Sequence, residues 1–350
     1  MDNIVNGLVF GFVCLRDGGK SDICSIFNFG PSTLRQVCFV DILNWNKLLI
    51  SVTARLEQNA SHQRNRKNVK RLLITDVDNT LLDWQHLWYE TFTAMANRVL
   101  EISSVDPERF YTECSVVHQK YGTSEYAFLL TELPCLVEIY GSDLLSTMQP
   151  AIDDFRAARR KNLRLYDGVS ATLKRLRSDG VTVVAFTESK AFYTNYRFRK
   201  TGLDGLVDFL YSPPDHAVPF DTTIKRRYVP DSYDLKSTVH RFTPDGEVKP
   251  SPHILATIID DLGFTKADTA YVGDYLLKDI FMAQEAGVLD IHAEYGSAQG
   301  RTEQYDLLKK VTHWTQGMIE RENAALRPGA ITPTHVLKCS FSEIEPIIRG

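Results

Sequence analysis

Short apolar runs alternate with helical patterns over most of the second half of the chain. The runs at residues 72–74 and 181–186 are typical of strands buried on both faces of a parallel sheet. The helical patterns at residues 169–178 and 191–201 are each followed closely by a glycine that ends them, Gly180 and Gly202. Such alternation predicts parallel strands joined by helical crossovers. Further strands are predicted at residues 209–211, 269–272, 289–292 and 334–337, and further helices at 251–262, 276–286, 305–323 and 341–348.

Two stretches interrupt this rhythm. From residue 84 to residue 163 the apolar positions recur at helical spacing, as at Leu87, Thr91 and Met95, and four helices are predicted, the last over 144–161. Residues 213–248 contain five prolines and predict a long loop or a small insertion. The fold class that follows is α/β, a Rossmann-like parallel sheet flanked by helices, with an inserted helical domain at 84–163 and a core formed by 69–83 and 164–350.

Residues 1–68 differ from the rest and predict an N-terminal extension. Apolar clusters at residues 8–15, 23–29 and 37–43 suit short strands, and residues 48–56 suit a helix. Residues 61–71 are basic and without periodicity, which favours a solvated linker over an arm for anionic partners. The extension is a small appended unit, a dimerisation element or a segment of little order, and the sequence does not choose between them.

Composition narrows the class of protein. The 350 residues are 43% hydrophobic, enough for a sizeable core, and the formal net charge of −4 argues against nucleic-acid binding. Six cysteines without a CxxC pair indicate neither a zinc site nor a redox motif, and reduced thiols fit a cytoplasmic protein. No apolar run reaches the length of a membrane span, and the apolar start lacks the features of a signal peptide.

Polar residues follow the predicted strands at the points where they end. Asp76 and Asp78 follow the first core strand, Thr187 follows residues 181–186, Asp274 follows residues 269–272, and Lys249 precedes a helix. Because the carboxyl ends of parallel strands share one edge of a sheet, we expect these side chains to converge there. Three carboxylates suit Mg²⁺, and a lysine and a hydroxyl suit a phosphate group. This set predicts phosphoryl transfer.

The same residues carry a family resemblance. Asp-Val-Asp-Asn-Thr at residues 76–80 resembles the DxDxT motif of the haloacid dehalogenase (HAD) superfamily. Thr187 and Lys249 resemble its second and third motifs, and Gly-Asp at 273–274 with Asp279 resembles the fourth, GDxxxxD. The resemblance covers roughly residues 70 to 350 and is closest in character to phosphoglycolate phosphatase-like members. It implies that the helical segment at 84–163 is a C1 cap that closes over the site.

The resemblance also implies roles. Asp76 is the expected nucleophile and a metal ligand, and Asp78 is the expected general acid and base, which gives its backbone carbonyl to Mg²⁺. Thr187 is expected to bind the phosphoryl group and Lys249 to neutralise it. Lys225 and Lys236 compete with Lys249 for that role, because the long preceding loop blurs the spacing.

The remaining acids are expected to complete the metal site. Asp274 is the expected ligand, directly or through water, and Asp279 supports it. The carboxylate at Asp78 disfavours dehalogenation, since dehalogenases of the family lack one there. Glu188 departs from the residue that many relatives carry after the threonine.

The expected function is that of a Mg²⁺-dependent phosphatase acting on a small phosphorylated metabolite through an aspartyl-phosphate. A phosphomutase of the same superfamily and a non-catalytic phosphate-binding module are the alternatives.

Overall fold

The chain forms two compact units, Met1–Lys67 and Asn68–Gly350. The structure, a computed structural model, describes residues 3–5, 8–15, 23–28, 69–215, 233–244, 246–297, 301–315, 317–318, 320 and 331–350. In the first unit, β1 (Asn3–Val5), β2 (Leu8–Leu15) and β3 (Ile23–Asn28) form an antiparallel sheet in the order β1-β2-β3. The predicted strands at 8–15 and 23–29 are therefore present. The predicted strand at 37–43, the helix at 48–56 and most of the basic linker lie outside the described residues.

The second unit is built on a parallel sheet of seven strands. Their order is β10-β9-β8-β4-β5-β6-β7. The strands are β4 (Leu72–Thr75), β5 (Thr182–Phe186), β6 (Phe209–Ser212), β7 (Val239–Phe242), β8 (Thr269–Gly273), β9 (Leu289–Ala293) and β10 (His335–Leu337). All neighbouring pairs are parallel. The strand order reverses between β4 and β8, which is where open α/β sheets bind ligands. The predicted α/β class, a parallel sheet flanked by helices, is confirmed.

Helices cover both faces of this sheet because successive strand residues point to opposite faces. Leu73 packs in the cluster that includes Leu173 and Ile344, whereas Leu72 and Ile74 pack in the cluster that includes Ile258. All four residues of β4 are buried, as a strand covered on both faces requires. The helices of these layers are α7 (Val169–Ser178), α8 (Ala191–Thr201), α9 (Pro252–Asp261), α10 (Phe281–Ala286) and α12 (Ile344–Arg349).

Six helices, not four, lie between β4 and α7. They are α1 (Trp84–Ser103), α2 (Pro107–Tyr121), α3 (Leu129–Glu132), α4 (Pro134–Tyr140), α5 (Leu144–Thr147) and α6 (Gln149–Asn162). The predicted helix over 144–161 is divided at Met148, because Pro150 lacks an N–H group and begins a new helix. We call α1 to α6 the helical unit. Its apolar cluster includes Phe92, Leu136 and Met148.

A helix from the end of the chain also joins this cluster. Helix α11 (Thr302–Val311) contributes Leu308 and Val311, both buried among residues of the helical unit. The pattern predicted a helix at 305–323, but α11 begins earlier and ends at Val311, where Thr312 takes an extended conformation. The helical unit thus packs against a segment more than 130 residues away in sequence from its own end.

The stretch at 213–248 is not only loop. Strand β7 pairs with β6 in parallel at the edge of the sheet, and this corrects the prediction. Val239 and Phe242 are exposed and His240 and Arg241 are half-buried, so the strand shows no apolar run. Among the residues described, we find no helix with the length and apolar character that crossing a membrane demands.

Candidate active site

The backbone brings the predicted site residues to one edge of the sheet. Beyond the last paired residue of β4, the N–H of Asp76 donates to the carbonyl of Val272 in β8 at 2.8 Å. The N–H of Thr187, beyond β5, donates to the carbonyl of Tyr211 in β6 at 3.0 Å. Asp274 directly follows β8. The strand ends at the reversal of strand order therefore carry the acids.

Three carboxylates meet at this edge. Asp76, Asp274 and Asp279 each offer an oxygen atom, and these atoms lie within 4.8 Å of one another. All three side chains are buried. The ammonium of Lys249, also buried, donates to Oδ1 of Asp76 at 2.5 Å and to Oδ1 of Asp279 at 2.9 Å. Among the described lysines that the sequence offers, Lys249 is thus the one in contact with the acids.

Burial dominates the electrostatics of the cluster. It raises the pKa of Asp76 to about 7, against the opposing effect of the Lys249 ammonium. Burial, followed by the charge of Asp76, raises the pKa of Asp274 well above its usual range. Burial alone would lower the pKa of Lys249, but Asp279 and Asp76 together raise it well above the usual value. Lys249 is therefore charged, and its single positive charge is too little to neutralise the three carboxylates around it.

This donor set fits Mg²⁺. Three carboxylates share a single ammonium, and Asp274 forms no salt bridge within the ranges that the structure describes. Uncompensated buried carboxylates are costly, and a small divalent cation with oxygen ligands removes that cost. Asp76 and Asp274 are the residues that would hold the ion, with Asp279 beside them.

Asp279 is fixed from several directions. Its carboxylate accepts hydrogen bonds from the hydroxyl of Tyr271 at 2.7 Å and from the N–H of Tyr275 at 3.1 Å. It lies in a π-helical turn, Leu276–Ile280, a distortion that is frequent at functional sites. A Cβ atom at Gly273 would lie 2.3 Å from Cγ of Asp279. A side chain at position 273 would therefore clash with Asp279, which explains why glycine precedes Asp274.

The Asp78 carboxylate contacts a second group of polar side chains. Its carboxylate accepts hydrogen bonds from Nη1 of Arg197 at 2.9 and 3.2 Å and from the hydroxyl of Ser189 at 2.5 Å. Asn79, which follows it, has a φ of 60° that turns the chain sharply. Burial raises the pKa of Asp78, whereas Arg197 acts to lower it. The two acids of the first motif thus have different hydrogen-bond partners, although the charge of Asp78 also acts to raise the pKa of Asp76.

The loop after β5 connects the two clusters. Oγ1 of Thr187 accepts a hydrogen bond from the N–H of Ser189 at 3.1 Å. Glu188 accepts one from the N–H of Lys249 at 2.9 Å and pairs with the ammonium of Lys278 at 2.5 Å. Glu188 therefore helps to hold the segment that places the Lys249 side chain between the acids.

Of the two competing lysines, the structure describes Lys236, which does not reach the acids. Lys236 precedes β7, and its N–H donates to Asp204, which lies before β6, so it is at the opposite edge of the sheet. Lys225 lies outside the described residues.

The sequence did not point to four residues of the site. Ser189 and Arg197 hold Asp78, Glu125 holds Arg197, and Tyr271 holds Asp279. Of these four residues, only Ser189 could have been suspected from the sequence, since it lies two residues after Thr187. Arg197 and Tyr271 lie within helical and apolar patterns that packing alone explains, and Glu125 lies in a loop between two helices.

Comparisons with known proteins identify the family of the chain. The model of the haloacid dehalogenase-like hydrolase family matches residues 70–287. Among solved structures, the HAD-hydrolase YfnB of Bacillus subtilis is 17% identical, with 80% of this chain and 99% of that chain covered and a TM-score of 0.41. A 2-haloacid dehalogenase of Pseudomonas syringae is 18% identical, with coverages of 80% and 98% and a TM-score of 0.43. No curated protein gives a significant match.

Proposed function

The chain belongs to the haloacid dehalogenase-like hydrolase family, and from this premise we propose that it is a Mg²⁺-dependent phosphatase acting on a small phosphorylated metabolite. The observation that supports the proposal best is the buried group formed by Asp76, Asp274, Asp279 and Lys249 at the carboxyl ends of the strands. A phosphate ester is an anion with equatorial oxygens that a lysine and a metal site can neutralise.

Asp76 is the proposed nucleophile. Its carboxylate attacks phosphorus, the ester bond breaks, and an aspartyl-phosphate forms. Lys249, which touches Oδ1 of Asp76, lies where it can neutralise the transferred group, and Thr187 offers a hydroxyl to the same group. Bound Mg²⁺ would supply charge neutralisation between Asp76 and the phosphoryl oxygens.

Asp78 is the proposed general acid and base. In the first step it donates a proton to the oxygen of the leaving alcohol. In the second step it accepts a proton from the water that attacks the aspartyl-phosphate, so that phosphate is released and both acids return to their starting state. Its surroundings differ from those of Asp76, as two acids with different tasks require.

The helical unit is the proposed cap over this site. It enters directly after the first motif and returns before β5, and its loop at residues 122–128 contacts α8 beside Asp78. Exclusion of bulk water by such a unit strengthens every electrostatic interaction beneath it. We propose that residues 69–83 and 164–350 form the core, with α11 as an additional support of the cap, and that the protein is cytoplasmic.

The test is hydrolysis of a generic aryl phosphate by the purified protein with Mg²⁺. We expect phosphate release that stops when EDTA removes the metal and that is abolished in Asp76→Asn. Asp154→Asn, which removes an exposed partner of Arg98 in the helical unit, is the control and should keep wild-type activity. Unchanged hydrolysis in Asp76→Asn would contradict the assignment. Isomerisation of a sugar phosphate without phosphate release would indicate a mutase instead.

A further inference from the structure

Arg197 lies between two carboxylates that belong to different parts of the second unit. Its side chain is only 3% exposed, and it extends from α8 toward the first motif. Nη1 donates to both oxygens of Asp78, at 2.9 and 3.2 Å, and to the hydroxyl of Ser189 at 3.1 Å. Nη2 donates to both oxygens of Glu125. The two nitrogens of one guanidinium thus serve two different acids.

The two acids lie on either side of the contact between helical unit and core. Asp78 follows β4, whereas Glu125 lies in the loop between α2 and α3. The same loop makes a second contact with α8, where the N–H of Ala127 donates to the hydroxyl of Tyr193 at 2.9 Å. The loop therefore meets α8 at the residue that holds Asp78.

The geometry makes the orientation of Asp78 depend on Glu125. A guanidinium is a rigid planar fork, so fixing one of its nitrogens fixes the direction in which the other points. A buried cation that loses one of its two acids must turn toward the remaining acid or toward water. Among the described residues, Nη2 donates to Glu125 alone, so removing that carboxylate leaves Nη2 without the partner that holds Arg197 in its present plane.

We propose that Arg197 is a positioning residue that aligns Asp78 for proton transfer when Glu125 of the helical unit engages it. The inference rests on the proposed function, since it concerns the proposed acid and base. Seating of the helical unit on the core then does more than exclude water: it completes the arrangement of Asp78. When a substrate allows the helical unit to close, Asp78 is aligned for proton transfer. When the helical unit is open, Glu125 does not engage Arg197 and this alignment of Asp78 is lost.

The test compares two leaving groups. 4-Nitrophenyl phosphate releases a stable anion and needs little protonation, whereas 2-glycerol phosphate releases an alkoxide that needs an acid. The value of kcat/KM for each ester reports the step in which Asp78 acts as the acid. We would measure it for the wild type, Glu125→Gln and Arg197→Lys. Tyr193→Phe is the matched control, because it removes the hydrogen bond of the same loop to another residue of α8 and leaves the contacts of Asp78 in place.

We expect Glu125→Gln and Arg197→Lys to lower kcat/KM for 2-glycerol phosphate at least about 10-fold more than for 4-nitrophenyl phosphate, since general acid catalysis contributes about 10²–10⁴-fold. Tyr193→Phe should change both values by the same factor. Equal losses on both esters in Glu125→Gln, or no loss, would overturn the proposal. Glu125→Gln is nearly isosteric and half-buried, so it keeps the test valid if Arg197→Lys does not fold. A wild type inactive on both esters would refute the proposed function itself.

Discussion

Replacing Lys249 by methionine should destabilise the metal-free protein strongly. The ammonium is buried and lies 2.5 Å from Asp76 and 2.9 Å from Asp279. Removing one partner of a buried ion pair costs about 3–5 kcal/mol, because the other charge stays buried without compensation. Methionine keeps a flexible apolar stem at this position. It also removes the ammonium that lies 5.0 Å from the ring centroid of Phe186 and 5.6 Å from that of Tyr271, and the loss of these cation–π contacts adds to the destabilisation.

Chemical unfolding in EDTA, followed by the same experiment with Mg²⁺, measures this effect. Lys249→Met should lose about 3–5 kcal/mol in EDTA. Mg²⁺ should restore more stability to the variant than to the wild type, because the ion binds only the folded protein and no longer competes with the ammonium. Lys120→Met, which removes a lysine from an exposed pair with Glu132, is the control and should change little.

Equal stability of Lys249→Met and the wild type in EDTA would refute this reasoning. It would show that the acids around the lysine are neutral in the folded protein and that the site has no need of a cation.

Three further perturbations test other parts of the structure. Burial, followed by the charge of Lys278, lowers the pKa of His313 to about 4. Between about pH 6.5 and pH 4 the unfolded state therefore binds a proton that the folded state does not, and the free energy of unfolding should fall as the pH drops through this range. In urea titrations, His313→Gln should reduce that fall by on the order of 3 kcal/mol. Gly296→Ala would place a Cβ 1.6 Å from the carbonyl oxygen of Asn79, so it should cost about 1–3 kcal/mol and lower phosphatase activity by shifting the first motif. Gly317→Ala, whose Cβ would meet no described atom within 4 Å, should change both assays less. The Asp204 carboxylate accepts three N–H groups before β7, so Asp204→Ala should speed amide exchange in β7 while β4 stays protected, and unchanged exchange would contradict that anchoring role.

The parallel sheet and the protein family were predictable because strands buried on both faces of a sheet consist of apolar runs in the sequence. Strands β4, β5, β8 and β9 each fall within a residue of their predicted bounds. Since the acids directly follow those runs, their meeting at one edge follows from the parallel arrangement alone. The HAD resemblance is confirmed by the family model over residues 70–287.

Elements that tertiary contacts determine were not predictable. Strand β7 lies at an exposed edge, so its sequence lacks the alternation that marks a strand. The ion pair between Arg197 and Glu125 joins residues 72 positions apart, and neither the periodicity of α8 nor the composition of the loop indicates it. The contact of Lys249, and not of Lys236, with the acids likewise depended on where the chain returns to the sheet. These features arise from packing between distant segments, which local patterns do not record.

The central claim is that Asp76 becomes phosphorylated during turnover. Rapid acid quenching of the protein with Mg²⁺ and a substrate carrying labelled phosphate, followed by peptide mapping, tests this most directly. We predict a hydroxylamine-sensitive label on the peptide that contains Asp76, appearing before free phosphate and missing in Asp76→Asn. Release of labelled phosphate with no labelled protein, or with the label on another residue, would contradict the account.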